Sequence, residues 1–129
     1  MMQPSRRALS ALCAVLALPL VAGAARLPHL KLKHAFPAPD TTLTTSPDAV
    51  RLWLSEPADL PATKVAVADA AGAPVAVARL TRGAQRDDPV VAKFVTPPTD
   101  GKYTVTWKAM SKDGHVVDGK YAFTVTLAK

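Results

Sequence analysis

Residues 101–110 read Gly101-Lys102-Tyr103-Thr104-Val105-Thr106-Trp107-Lys108-Ala109-Met110. Tyr103, Val105, Trp107 and Ala109 alternate with Thr104, Thr106 and Lys108. Successive side chains of a strand point to opposite faces, so one face here is apolar and the other wet. This is the period of a half-buried strand, not of a helix. Tyr121, Phe123, Val125 and Leu127 repeat the scheme. The two stripes are expected to meet across a sandwich, with Trp107 and Phe123 in the core, where each large buried side chain contributes roughly 1.5–3 kcal/mol.

Outward from that stretch, short β-branched and aromatic runs recur between Gly, Pro and Asp clusters. They predict strands over 29–36, 49–55, 63–69, 74–80, 90–95, 102–110 and 120–127. Pro37-Ala38-Pro39-Asp40, Ala71-Gly72-Ala73-Pro74, residues 81–89 and Pro97-Pro98-Thr99-Asp100-Gly101 combine fixed φ values with turn-tolerant residues and read as loops. No long 3.6-residue period appears, and no internal repeat. The fold expected is all-β: a single Greek-key β-sandwich or barrel of about seven strands, Ig-like or cupredoxin-like. A chain of 129 residues suits one such domain. Trp53, between Leu52 and Leu54, is left open by alternation, as a core residue or a partner contact.

The amino-terminal segment has a different grammar. Arg6 and Arg7 precede an apolar run over 8–22, and Gly23, Ala24 and Ala25 follow. That pattern predicts a secretory signal peptide over 1-25 and an exported domain over 26-129. The run is shorter than the roughly 20 apolar residues of a spanning helix, and Pro19 interrupts it, so no membrane anchor is expected after cleavage. Cys13 is the one cysteine and falls in the leader, so the exported domain lacks a thiol for a disulfide or a metal. Losing the leader removes two of the 16 basic side chains and none of the 10 acidic ones, which leaves a mildly basic chain. The charges are scattered, with no basic run or aromatic-interleaved patch, so no nucleic-acid partner is expected.

No phosphate-binding glycine loop, nucleophile elbow or His-Glu-x-x-His helix is present, and the chain is not expected to be an enzyme. The residues left for chemistry are His29, His34 and His115 with nearby carboxylates. In an extended segment Asp113 and His115 would point to the same side, as an oxygen and a nitrogen donor to one ion. Lys112-Asp113-Gly114 also reads as a plain turn, with Asp bonding the backbone and Gly at positive φ. Spacing alone leaves both readings open.

At this point the sequence resembles the CopC family of copper-resistance proteins over nearly all of residues 26–129. The likeness is carried by His29-Leu30-Lys31-Leu32 with Pro37-Ala38, by Val50-Arg51-Leu52-Trp53-Leu54-Ser55-Glu56-Pro57, and by Gly101-Lys102-Tyr103-Thr104-Val105-Thr106-Trp107. Its most specific part is Lys108-Ala109-Met110-Ser111-Lys112-Asp113-Gly114-His115, then Gly119 and Phe123. This is similar to the family's Trp-Arg-x-x-Ser-x-Asp-x-His-x-x-x-Gly signature. The resemblance implies a periplasmic Cu(II)-binding protein that sequesters copper or delivers it to a CopD-type inner-membrane importer, as a monomer. It implies His29, Asp113 and His115 as metal ligands, with Glu56 as an outer ligand or a neighbour of the ion. A d⁹ ion prefers tetragonal nitrogen and oxygen coordination, which suits an amine, two imidazoles and a carboxylate. A separate Cu(I) site in some relatives uses clustered methionines, whereas Met110 is the one methionine after the leader.

The departure lies at the start of the domain. Cleavage after Ala24 or Ala25 leaves His29 without a free amine, and Pro28 has no amide proton for an amino-terminal motif with histidine third. The alternatives are trimming to His29, binding through side chains alone, or replacement of His29 by His34. Two other functions stay open: a metal-free Ig-like interaction module, and a histidine-brace copper monooxygenase, against which Asp113 would fill a position that oxygen chemistry needs free.

Overall fold

The computed structural model of the protein describes residues 30–129, so the expected signal peptide and His29 lie outside the described residues. In chain order the strands are β1 (Leu32–Phe36), β2 (Thr42–Leu43), β3 (Ala49–Leu54), β4 (Lys64–Ala68), β5 (Pro74–Val75), β6 (Thr81–Arg82), β7 (Val90–Lys93), β8 (Gly101–Met110) and β9 (Val116–Val125). A 3₁₀ turn, Leu60–Ala62, lies between β3 and β4. One sheet runs β1-β3-β7-β6 and the other β2-β9-β8-β4-β5. The fold is the expected all-β sandwich. Among the described residues every ladder is antiparallel except β2 beside β9.

The strand list differs from the sequence reading in informative places. Thr42–Leu43 forms a two-residue strand on β9, fixed by backbone bonds such as Thr124 N–H to Thr41 O at 2.9 Å. Thr81–Arg82, inside the stretch read as a loop, pairs with Val90 and Val91. Two-residue ladders rest on backbone groups and leave no side-chain period to read. The stretch 74–80 is not one strand. Pro74 and Val75 pair with β4, and then the chain crosses to the other sheet, where Val77 bridges Phe94 and the Ala78 N–H meets Lys93 O at 2.7 Å. β9 begins at Val116, four residues before its predicted start.

The two apolar stripes do not face each other across the sandwich. β8 and β9 are neighbours with ten paired positions, so their stripes lie side by side on the inner face of one sheet. Tyr103 pairs with Phe123, their rings stacked with centroids 5.4 Å apart. Val50 and Leu52 of β3 and Val90 and Ala92 of β7 supply the other half of the core. Trp107 and Phe123 are buried as expected, and Trp53 is half-buried.

Trp107 pairs with Gly119, and a Cβ at Gly119 would lie 2.7 Å from three indole atoms. The indole therefore needs a bare backbone opposite it. This gives a physical reason for Trp and Gly to occur together at that spacing.

Three hydrogen-bonded junctions gather one end of the sandwich. Leu30 is buried, and Lys31 is stitched to Ser55 by two 2.8 Å bonds: its N–H donates to Ser55 Oγ, and its carbonyl accepts from the Ser55 N–H. The Asp59 N–H donates to Met110 O at the end of β8, also at 2.8 Å. The Arg82 guanidinium donates to Ala58 O. The start of the described chain, the link after β3, the end of β8 and the β6–β7 hairpin thus meet at the same end.

Candidate functional site

The turn 111–115 closes the β8–β9 hairpin at that end. The Ser111 N–H donates to His115 O at 2.8 Å and the Gly114 N–H to Ser111 O at 3.0 Å. Gly114 has φ +89°, a left-handed conformation that costs a residue with a Cβ roughly 1–2 kcal/mol. Asp113 and His115 therefore sit in a turn, not in an extended strand.

The turn nonetheless brings the two side chains together. His115 Nδ1 lies 2.8 Å from Asp113 Oδ2, and both side chains are more than half or about half exposed. The Ser111 hydroxyl, on a buried residue, donates to Asp113 Oδ1, and the His115 N–H approaches the same oxygen at 3.3 Å. Hydrogen bonds to the ionised form favour it. The Ser111 hydroxyl first, and then His115, hold the Asp113 carboxyl at about 2, below its ordinary 3.8. An ionised carboxylate only accepts, so His115 Nδ1 carries the proton of that contact.

Glu56 and Asp113 line one cleft of about 870 Å³, together with Leu60, Arg82, Arg86 and Lys112. Glu56 is half-buried, one residue past the Ser55 that holds Lys31. His34 is exposed on β1, opposite Trp53 and next to a break in the β1–β3 register, while its neighbours Leu32 and Ala35 pack on the core. His34 therefore stands on the outer face of that sheet. Met110, half-buried, ends β8. Among the described residues, no three or more His, Cys, Asp and Glu side chains are placed to hold a metal ion. What is present is one oxygen and one nitrogen donor on an exposed turn, beside an open cleft with a second carboxylate, Glu56, in its wall.

Two features went unassigned at the level of sequence. Ser111 was part of a motif without a role, yet it holds both Asp113 and the His115 carbonyl. A serine two residues before an aspartate is an ordinary local side-chain contact and was readable as such. Arg82 and Arg86 reach the cleft from the β6–β7 hairpin, and nothing in their local sequence points to the Ser111–His115 turn.

The architecture is thus a two-sheet sandwich, antiparallel in every described ladder but β2–β9, with a carboxylate–imidazole pair at the turn of its β8–β9 hairpin. Residues 32–126 match the CopC domain family, and the chain belongs to that family. Protein YobA of Escherichia coli K12 is 27% identical over 97 residues, which cover 75% of this chain and 78% of YobA. The Shigella flexneri protein of the same name matches equally. Among solved structures, CopC from Methylosinus trichosporium OB3b superposes with a TM-score of 0.71 at 26% identity, covering 78% of this chain and 97% of that one. PcoC, a methionine-rich copper resistance protein from Escherichia coli, gives a TM-score of 0.68 at 28% identity, covering 76% and 99%.

Proposed function

We propose that residues 26–129 form a periplasmic Cu(II)-binding domain, exported by cleavage of a signal peptide over 1-25, that sequesters or delivers copper in copper resistance. The observation that carries this reading is the Asp113–His115 pair, held 2.8 Å apart in a CopC-family sandwich similar to a copper resistance protein. Two donors each about 2 Å from an ion and at right angles stand about 2.8 Å apart, so the pair matches one edge of a tetragonal site. The ion would sit off the line joining the two atoms, so the imidazole and the carboxylate would each turn to face it, which their exposed positions on the turn permit.

His29 completes the site in this reading. The Lys31–Ser55 stitch supports that assignment, because it sets the start of the described chain beside Glu56 in the cleft wall that Asp113 shares. Glu56 serves as an outer ligand. The oxidation state follows from the donors: nitrogen and oxygen suit Cu(II), while Met110 alone does not make a thioether site for Cu(I). The domain acts as a monomeric carrier without catalytic turnover. Its exposed turn lets a ligand of a CopD-type importer attack before the old ligands leave.

The test is Cu(II) titration of the exported protein, followed by electron paramagnetic resonance, with its amino terminus read by mass spectrometry. The expected result is one nitrogen-rich site that is lost in Asp113→Ala/His115→Ala. Unchanged affinity in that double variant would overturn the assignment.

One observation favours a second reading, a metal-free interaction module. Asp113 is already satisfied by Ser111 and His115, and the described residues lack a third ligand beside them. Under that reading the exported protein shows no specific Cu(II) signal, and the double variant keeps all partner binding.

A further inference from the structure

The cleft beside the turn has a chemistry of its own. It is lined by three cationic side chains, Arg82, Arg86 and Lys112, and by two carboxylates, Glu56 and Asp113. Asp113 is committed to Ser111 and His115. Among the described residues, none of the three cations lies within ion-pair distance of a carboxylate; the pairs found are Arg51 with Asp48 and His115 with Asp113. The uncommitted charge in the cleft is therefore mostly positive.

Arg82 is the organised part. It is half-buried and anchored by its bond to Ala58 O, which fixes the guanidinium while leaving most of its five donors unused by that bond. A guanidinium held in place loses less entropy on binding, and its fork matches a carboxylate. Arg86 and Lys112 are exposed on two different hairpins. The β6–β7 hairpin carries two acids: Asp87 is exposed and is not in the cleft lining, and Asp88 is used internally, its carboxylate accepting the Gln85 N–H at 2.9 Å. At about 870 Å³ the space lies within the range of small-molecule sites, and Pro57 and Leu60 give it an apolar wall.

We propose that this cleft is a binding site for a carboxylate-bearing ligand, with Arg82 as the fixed fork and Arg86 and Lys112 as its outer cations. The proposal does not depend on metal binding, since none of Arg82, Arg86 and Lys112 belongs to the proposed copper site.

The experiment uses the exported protein after chelator treatment and dialysis. Amide shifts of Gly83, Ala84 and Gln85 are followed by NMR during titration with citrate, with a tetraglutamate peptide, and with chloride at matched ionic strength. Saturable shifts with citrate or the peptide, but not chloride, are expected. Tighter binding of citrate identifies a free polycarboxylic acid as the ligand, and tighter binding of the peptide identifies an acidic protein segment. Arg86→Ser, at an exposed position outside the core, should weaken binding about tenfold, as loss of one charge-assisted bond implies. Arg82→Lys keeps the charge, loses the fork, and should weaken binding at least as much. Shifts equal to those with chloride, or affinities unchanged in both variants, overturn the proposal. Either result stands apart from the Cu(II) titration.

Discussion

The Asp113 carboxylate and the His115 imidazole meet at 2.8 Å within a five-residue turn, and the Ser111 hydroxyl reaches the same carboxylate from a buried position. The three side chains form a relay from the closed end of β8 to solvent. The order of the contacts matters, because Ser111, the buried member, contributes most to keeping Asp113 ionised.

The first prediction concerns acid. Asp113 has a folded-state value of about 2 against an ordinary 3.8. A depressed value means that the stabilisation from these contacts is complete above about 3.8 and fades as the pH falls through about 2. Carboxyl NMR of the metal-free protein should therefore place the Asp113 midpoint near the low value. Ser111→Ala should move it upward; an unmoved midpoint would show that the hydroxyl contributes nothing to the charge.

Gly119→Ala tests the Trp107 contact. The added methyl falls 2.7 Å from the indole, so the ring or the ladder must shift. The expected cost is about 1–3 kcal/mol, as for other overpacked cores, read as a lowered urea midpoint. Replacing Trp107 by Leu in the same background should recover part of the loss.

Tyr121→Phe should stabilise the protein. The Tyr121 hydroxyl is buried with no hydrogen-bond partner among the described residues, and burial pushes its titration upward. Removing a polar atom that lost its water without gaining a partner should return about 1 kcal/mol. Thermal denaturation would show this as a melting temperature a few degrees higher, and a lower one would place a bound water at that hydroxyl.

His34→Ala separates the two histidine assignments. His34 stands exposed on β1, opposite Trp53 and flanked by the core-packed Leu32 and Ala35. Its removal should leave Cu(II) affinity within about twofold of the parent, whereas His29→Ala should reduce it by more than tenfold, the loss of one good ligand. The reverse pattern, measured by competitive titration with a chromophoric chelator, would move the third ligand to β1.

Much of this was legible because side chains declared it. Tyr103, Val105 and Trp107 alternate, and their burial followed. What alternation could not say is which sheet the partner stripe occupies: Phe123 lies beside Tyr103, not across from it, since a period of two fixes a face and not a neighbour. Thr42–Leu43 and Thr81–Arg82 were invisible because backbone hydrogen bonds define them. The stretch 74–80 reads as a strand because it is a short run with β-branched Val75 and Val77 between turn clusters, yet it passes from one sheet to the other. Asp113 and His115 were legible as a pair, while the cleft was not, since its cations come from a distant hairpin.

The ten-pair ladder beneath the turn has a further consequence, in the time domain. Amides near Val105 and Phe123, both fully buried, should exchange with solvent only when the whole domain opens, whereas those of the 112–115 tip are released by fraying of a single turn. The two clocks run independently. Under the proposed function, a partner could therefore work on Asp113 and His115 many times over without loosening the sandwich below, so the lifetime of the protein would not be spent in the act of exchange.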